Sequence, residues 1–390
     1  MFQDYQFLLS LGGILLLGLA TDYLGRRTFL PRVTLLLIFG VIIGPELLNL
    51  IPTFFTERFE LIAKMALLMI GFLLGGKLTA EAFALNGKKI FIISVSGALF
   101  TSLIVLSGLS LFGLSLEIAI LLATLSAATA PASVVDVVME AEDKGPFANL
   151  LLSIVALDDA WALIMFSIGI SIVAAISGNG VSVSPAMLIA RELGGALILG
   201  LLIGLPAAYL TGRIKQGQPM LTEALGLVFL CGGLALWLDV SFLIASMVMG
   251  SVIANLAKHH EYPFHAIEGI EWPIMVLFFV LAGATLDLSA LMGIGLIGVT
   301  YVLCRMAGKV IGTWLGGLAS QSDALTRRWM GWAMLPQAGA AIGMALVASS
   351  QFPEYRQLLL PIVISSTIVF ELFGPIFTRI SLNKYNQRAG

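Results

Sequence analysis

The chain has 390 residues, of which 59% are hydrophobic and only 11% carry a charged side chain. Soluble domains carry roughly 25% charged residues, so this chain lacks the charge needed to cover a surface in water. This composition and a net charge of -2 exclude a soluble enzyme, a nucleic-acid-binding protein and a disordered chain. The sequence predicts an all-α polytopic membrane protein.

Apolar runs of roughly 17–25 residues, long enough to cross a bilayer as helices, occur from one end of the chain to the other. The N-terminal run is preceded by an acid and no basic residue, so it is expected to stay as a membrane span rather than to be cleaved as a signal peptide. Together the runs predict about thirteen transmembrane helices, at residues 5–24, 33–50, 58–76, 90–111, 115–139, 147–172, 186–210, 221–238, 241–257, 271–286, 291–316, 329–349 and 358–379.

Lysine and arginine concentrate on one side of these predicted spans. Fifteen of the 21 basic residues fall in alternate loops and in the C-terminal tail. Because basic residues favour the cytoplasmic side of a membrane, the sequence predicts an N-terminus outside and a C-terminus in the cytoplasm. The expected location is the plasma or inner membrane of the cell.

Three pairs of similar features recur 205 to 207 residues apart along the chain. They are Gly44–Leu50 with Gly250–Leu256, Phe72–Gly76 with Phe279–Gly283, and Pro131 with Pro336. This offset carries the second and third spans onto the ninth and tenth. Since seven spans is an odd number, the two copies are predicted to be inserted in opposite directions. Inverted repeats of this kind, here spans 1–6 and 8–13, favour an alternating-access transporter.

Pro131 and Pro336 interrupt the fifth and the twelfth spans among small residues. Proline removes a helical donor and breaks the helix, and irregular backbone at membrane depth is tolerated only inside protein or beside a cavity. A single proline could mark a simple kink. Interrupted helices at matching positions of two repeats instead indicate a binding site.

Asp158 and Asp159 lie in the sixth span, 12 and 13 residues after Pro146, and thus roughly 18–20 Å into the membrane. A charged side chain at this depth costs free energy of burial, and its presence therefore indicates a function. Two carboxylates there could coordinate a small hard cation or carry protons. The alternative is that a buried lysine simply neutralises them.

Arg305 and Lys309 lie four residues apart in the eleventh span and share a helix face. Lys309 is the deeper candidate to pair with an aspartate, the alternative being that it reaches to the membrane surface. Arg305 is a candidate to anchor a neighbouring broken helix. Two acids are weaker candidates for support: Asp136 for an inner funnel and Glu371 for an ion pair within the same domain.

These motifs resemble the monovalent cation–proton antiporter superfamily, in its two-aspartate sodium/proton branch. The pair of aspartates followed by a lysine five spans later is the specific feature. The resemblance covers essentially the whole chain and includes Thr129-Ala-Pro131, Asp158-Asp159, Arg305-x-x-x-Lys309 and Leu335-Pro336-Gln-Ala-Gly339.

The resemblance implies a homodimer whose protomers have two domains. Residues 1–89 and 221–288 would form the dimerisation domain, and residues 90–184 and 289–390 the moving core transport domain. Residues 185–220 would be a linker helix. The two broken helices would cross beside the aspartates.

The resemblance also assigns roles to single residues. Asp159 would be the carboxylate that binds the proton and the transported Na⁺, and Asp158 would be the partner of Lys309, the counter-ion or proton carrier. Thr129 would contribute an oxygen to the ion. Many relatives have an aspartate where this chain has Ala130, which leaves one carboxylate fewer at the crossing.

The predicted function is an electrogenic antiport of protons for Na⁺ or Li⁺ in pH homeostasis, with no cofactor and no enzymatic activity. The expected partners are these ions, membrane lipids and a second copy of the chain, and no nucleic acid. The alternatives are a K⁺/proton antiporter and a sodium-coupled solute symporter. An intramembrane aspartyl protease needs its aspartates on separate spans, and a channel is disfavoured by the inverted repeats.

Overall fold

The computed structural model describes residues 4–28, 30–141, 145–177, 187, 190–211, 220–257, 261–286, 295–337 and 339–389. Regular structure within these residues is entirely helical. The α-helices are α1 (Asp4–Arg27), α2 (Arg32–Ile43), α3 (Thr53–Glu57), α4 (Phe59–Lys77), α5 (Ala80–Leu111), α6 (Leu116–Leu125), α7 (Pro131–Glu140), α8 (Pro146–Ile176), α9 (Gly195–Thr211), α10 (Met220–Leu238), α11 (Phe242–Leu256), α12 (Glu261–Ala284), α13 (Gly295–Ala319), α14 (Ala324–Ala333), α15 (Gly339–Gln351) and α16 (Arg356–Ala389).

Nine helices in the described part of the chain are long and apolar enough to cross a membrane, and α2, α6 and α11 are shorter apolar helices. The all-α, polytopic character predicted from the composition is therefore confirmed. The count of thirteen spans stays a prediction. The predicted starts of the seventh and eleventh spans, at 186 and 291, lie outside the described residues.

The helices group into two compact units. Unit 1 contains Met1–Ala84 and Arg191–Leu286, and unit 2 contains Leu85–Ala190 and Asp287–Gly390. The domain boundaries predicted at 184/185 and 288/289 fall outside the described residues. The assignment of one part of the chain to dimerisation and another to transport stays a prediction.

In unit 1, α2 packs against α12 and α4 packs against α11. Glycines allow the helix backbones to touch, because a Cβ on Gly250 would overlap the carbonyl of Phe72 and one on Gly283 would overlap the carbonyl of Leu37. Both glycines belong to the repeated segments found in the sequence. Since the repeat relates α2 to α11 and α4 to α12, the two contacts are equivalent, as expected for copies related by a two-fold axis.

The second predicted span, 33–50, ends earlier than its apolar run suggests. Helix α2 stops at Ile43 and Gly44 is extended, with ψ 177°. Pro45 has no N–H to continue the helix and disfavours helical geometry in the residue before it. The chain then turns back, and Asn49 donates its amide to the carbonyl of Gly44 at 2.8 Å.

Unit 2 holds both interrupted spans. The fifth predicted span forms α6 and α7, separated by residues 126–130, and the twelfth forms α14 and α15, separated by an unwound segment that contains Pro336. Helix α16 contacts α6, α7, α13, α14 and α15. The unwound segments therefore lie in the interior of unit 2, among helices that can supply partners to their backbone.

Candidate functional site

The two breaks of unit 2 contact each other through main-chain atoms. The amide of Ala130 donates a hydrogen bond of 2.9 Å to the carbonyl of Pro336, and Thr129 Oγ1 lies 3.5 Å from the carbonyl oxygen of Met334. Pro131 takes the first position of α7, where its missing N–H costs no helical hydrogen bond. The two proline-containing segments therefore cross at this point.

The crossing is packed tightly against α16. Gly374 of this helix faces Pro336, and a Cβ at Gly374 would lie 2.6 Å from the Pro336 Cα. Real side chains do not approach this closely, so the second break can rest on α16 only where α16 has a glycine.

Arg305 of α13 connects the two breaks. Its guanidinium is fully buried and donates hydrogen bonds to the carbonyls of Ser126 (3.1 Å), Ala128 (2.7 Å) and Leu335 (2.8 Å). The ring of Phe370 lies 4.2 Å from the guanidinium carbon. Because the planar guanidinium has five donors in a fixed fork, it can supply partners to several carbonyls that the breaks leave without helical bonds.

Replacing Arg305 with Met is expected to destabilise the protein. Three buried carbonyls would lose a partner at about 1–3 kcal/mol each, so the free energy of unfolding should fall by at least about 3 kcal/mol. For a chain of 390 residues, a loss of that size lowers the midpoint of thermal unfolding by roughly 4 °C, which size-exclusion chromatography after heating would measure. Arg305→Lys should also lower it, because an ammonium has no planar fork.

The matched control for this experiment is Arg356→Met, at an exposed position at the start of α16. This variant removes the same groups where they contact no carbonyl of the breaks, so its midpoint should equal that of the wild type. An unchanged midpoint in Arg305→Met would contradict the anchoring role.

Lys309 lies one helical turn after Arg305 and is also fully buried. Its Nζ lies 2.7 Å from Asp158 Oδ2 and donates a second hydrogen bond of 2.7 Å to the carbonyl of Ala127. The Thr129 hydroxyl donates to the same carboxylate oxygen. The ammonium therefore lies at the crossing, paired with an aspartate, and does not extend to the membrane surface.

The neighbouring aspartates of α8 have different surroundings. Asp158 is fully buried, and its Oδ2 is bound by Lys309 and Thr129. Asp159 is half-buried and forms no hydrogen bond or ion pair with the described residues, and its Oδ1 is buried. Successive helical positions point about 100° apart, so one carboxylate faces the lysine and the other stays available for a proton or a cation.

Trp161 packs this part of α8 against α5. The sequence did not identify it as a candidate site residue. Its Nε1 donates to Ser94 Oγ at 3.1 Å, and its ring meets the ring of Phe91 edge to face, with centroids 5.5 Å apart. Buried tryptophans usually find an acceptor for the indole N–H. The signal in the sequence that could have identified Trp161 is its position two residues after Asp159.

The two weaker candidates differ in position. Asp136 of α7 is 2% exposed, and its place in an inner funnel stays a prediction. Glu371 of α16 is half-buried and forms no hydrogen bond or ion pair within the described part of the chain, so the expected ion pair stays a prediction. The basic side chain two turns further along α16, Arg379, pairs instead with Glu140 of α7 at 3.4 Å.

Comparison with known proteins agrees with this arrangement. The model of the family described as sodium/hydrogen exchanger, transmembrane, matches residues 12–384. One relative is the ammonium/H⁺ antiporter subunit AmhT of Alkalihalophilus pseudofirmus. It is 21% identical over 350 residues, which are 88% of this chain and 84% of the relative.

Solved structures of the sodium proton antiporter MjNhaP1 from Methanocaldococcus jannaschii share the fold. One superposes with a TM-score of 0.73 at 20% identity, covering 98% of this chain and 97% of the other. A second gives 0.77 at 19% identity, covering 100% and 97%. The resemblance inferred from the aspartate pair and the broken helices is thereby confirmed. With nearly the whole chain matched, the protein belongs to the transmembrane sodium/hydrogen exchanger family and is an integral membrane cation/proton antiporter.

Proposed function

We propose that this antiporter exchanges protons for Na⁺ or Li⁺ and transfers net charge in each cycle. The observation that carries the proposal is the contrast between the two aspartates at the crossing. Asp159 has no hydrogen bond or ion pair within the described residues, whereas Asp158 is bound to Lys309. A carboxylate that holds a proton in one half of a cycle and a cation in the other must have no permanent partner.

Asp159 is the primary ligand that we propose for the transported ion. Hard cations prefer oxygen ligands, and the carbonyls of residues 126–128 already accept hydrogen bonds from basic side chains. The oxygens that remain as possible ligands near Asp159 include Asp158 Oδ1, which has no partner among the described residues, and the Thr129 hydroxyl oxygen. These two groups are proposed as supporting ligands.

Lys309 is proposed to carry a second proton. Entry of a cation at the aspartates competes with the ammonium for Asp158. An ammonium that loses its carboxylate in a dry interior holds its proton less strongly, so Lys309 releases that proton while Asp159 releases another. Two protons would then be exchanged for each sodium, which makes the cycle electrogenic.

The proposed core domain, which moves during transport, consists of residues 90–184 and 289–390. The proposed dimerisation domain consists of residues 1–89 and 221–288 and binds a second copy of the chain in the cell membrane. Residues 185–220 are proposed to link the two domains.

The bias of basic residues supports an N-terminus outside and a C-terminus in the cytoplasm. A green fluorescent protein fused to the C-terminus should fluoresce in cells, because it folds in the cytoplasm. A dark but full-length fusion would contradict this orientation.

The experiment that tests the transported ions is a pH-gradient assay in proteoliposomes, with Na⁺, Li⁺, K⁺ and NH₄⁺ added separately. We expect Na⁺ and Li⁺ to collapse the pH gradient and K⁺ to leave the pH gradient unchanged. Ammonium is the second candidate, because AmhT is described as an ammonium/H⁺ antiporter subunit. A response to K⁺, or a response to NH₄⁺ larger than that of empty liposomes, which NH₃ crosses unaided, would contradict the proposal if Na⁺ gave none. Uptake of a labelled solute only with sodium would instead favour a symporter.

Substituting Ala130 with Asp is expected to raise the affinity for the cation and to leave the fold intact. Ala130 is the N-cap of α7 and makes no side-chain cap. Aspartate is among the preferred N-cap residues and suits the positive end of a helix, so the fold should accept it. The added carboxylate lies at the break, and we expect the Na⁺ concentration for half-maximal exchange to fall several-fold.

Ala130→Asn is the control, because it caps α7 in the same way without adding charge. Its half-maximal Na⁺ concentration should resemble that of the wild type. Equal values in all three proteins would mean that the first break does not face the ion.

A further inference from the structure

A second polar cluster lies inside unit 2, one turn from Arg305 along α13 and on the side away from Lys309. It consists of Tyr301 on α13, Gln337 in the second break and Ser366 on α16, and each of the three is fully buried. The Tyr301 hydroxyl faces the side chains of Gln337 and Ser366. It does not reach hydrogen-bonding geometry with either of them.

The register of the two helices explains why these residues meet. Tyr301 and Arg305 are four apart on α13, and Ser366 and Phe370 are four apart on α16, so each pair shares a helix face. Phe370 packs on Arg305, which places Ser366 level with Tyr301 in the next layer. At 1.5 Å per residue, this layer lies about 6 Å from Arg305 along α13 and about 12 Å from Lys309.

The polar atoms of this cluster lack partners within the described part of the chain. They are the Tyr301 hydroxyl and both amide atoms of Gln337. The Ser366 hydroxyl donates to the carbonyl of Val363 at 2.9 Å, which leaves its oxygen as an acceptor. Buried polar groups are nearly always paired, because an unpaired one loses its hydration without compensation. The cluster therefore offers donors and acceptors to a small polar ligand.

We propose that Tyr301, Gln337 and Ser366 bind a buried water molecule that is closed off from the ion path. Such a water accepts from the Tyr301 hydroxyl or the Gln337 amide and donates to Ser366 Oγ and Gln337 Oε1. This matches the three or so hydrogen bonds that a buried water usually makes. The water completes the hydrogen bonding of the second break, much as Arg305 does at the carbonyl of Leu335.

A monovalent cation would also accept neutral oxygen ligands, but it is disfavoured here by charge. The Arg305 guanidinium lies close enough to Tyr301 for the two to interact electrostatically, and it would repel a cation at this distance. Arg305 also lies between the cluster and the Asp158–Lys309 pair along α13, and all three lining side chains are buried. These features favour a neutral ligand in a closed site, whichever ions the protein transports.

Radiolytic hydroxyl labelling of the purified wild-type protein, read by mass spectrometry, tests the proposal. Radicals form from water where it is bound, so Tyr301 should be modified several-fold faster than Phe72 and Phe147, which are as deeply buried but pack on aromatic rings. Labelling of Tyr301 no faster than these phenylalanines would overturn the proposal, because the cluster would be dry. This measurement does not depend on transport.

The same experiment tests whether the site is closed. When the protein is mixed with H₂¹⁸O milliseconds before irradiation, the oxygen added to Tyr301 should still be ¹⁶O, because a closed water exchanges slowly. Immediate incorporation of ¹⁸O would overturn the closed site and place the cluster on a solvent-connected path.

A variant then identifies the residues that hold the water. Gln337→Met has similar volume but no amide, and it should lower Tyr301 labelling to the level of Phe72. Gln351→Met, at an exposed position of α15, should not change it. Labelling that persists in Gln337→Met would show that Gln337 does not bind the water. The wild-type experiment remains decisive even where this variant does not fold.

Discussion

Asp159→Asn is expected to abolish exchange and to leave a folded protein. Asparagine keeps the shape of the side chain but can neither hold the proton nor balance the cation that alternates with it. Because Asp159 has no hydrogen bond or ion pair within the described residues, no contact is lost. A neutral amide is also cheaper to bury than a carboxylate, so thermal stability should be equal to or higher than that of the wild type. Sodium-driven proton flux in proteoliposomes should fall to that of empty liposomes.

Asp239→Asn is the matched control. Asp239 lies in unit 1, and its side chain is 77% exposed and pairs with Arg191 at 2.7 Å. The variant therefore makes the same chemical change at an exposed carboxylate outside unit 2, and it should exchange ions normally. Retained proton-coupled sodium flux in purified Asp159→Asn protein would show that the available carboxylate is not the ion-binding group. Normal stability together with no flux would separate a role in transport from a role in folding.

Lys309→Gln is expected to convert the electrogenic cycle into a one-for-one exchange without current. Glutamine removes the titratable ammonium but keeps donors for Asp158 Oδ2 and for the carbonyl of Ala127, which Lys309 now binds at 2.7 Å each. The protein should therefore fold. Protons then move on Asp159 alone, and sodium-driven current on a solid-supported membrane should vanish while pH-gradient exchange persists.

Lys384→Gln is the control, because Lys384 is exposed near the end of α16 and should leave the current unchanged. Sodium-driven currents of wild-type size in Lys309→Gln would mean that the lysine is a structural counter-ion and that both protons are carried on the aspartates. Loss of current together with loss of all exchange would indicate that transport requires the positive charge of Lys309 at the crossing.

Local sequence was enough to predict several features of the site. Pro131 and Pro336 break helices because proline lacks a donor, and both spans are interrupted beside them in the structure. Asp158, Asp159 and Lys309 stood out because charges in an apolar span are costly. The apolar run after Arg32 misled the prediction of the second span, because hydropathy does not register that Gly44 and Pro45 end α2.

The sequence by itself thus determined the membrane class, the helical architecture and the residues that carry charge inside it. The family resemblance implied that Asp158 is the partner of Lys309, but only the tertiary structure decided the contacts that these residues make. The bond between Lys309 and Asp158 spans 151 residues, and that between Arg305 and Ser126 spans 179. Hydropathy and helix-breaking are properties of a few neighbouring residues, so they can be read from the chain directly. The hydrogen bonds from Lys309 and Thr129 to one oxygen of Asp158, and the polar cluster of Tyr301, Gln337 and Ser366, depend on how separate helices pack, which no local pattern specifies.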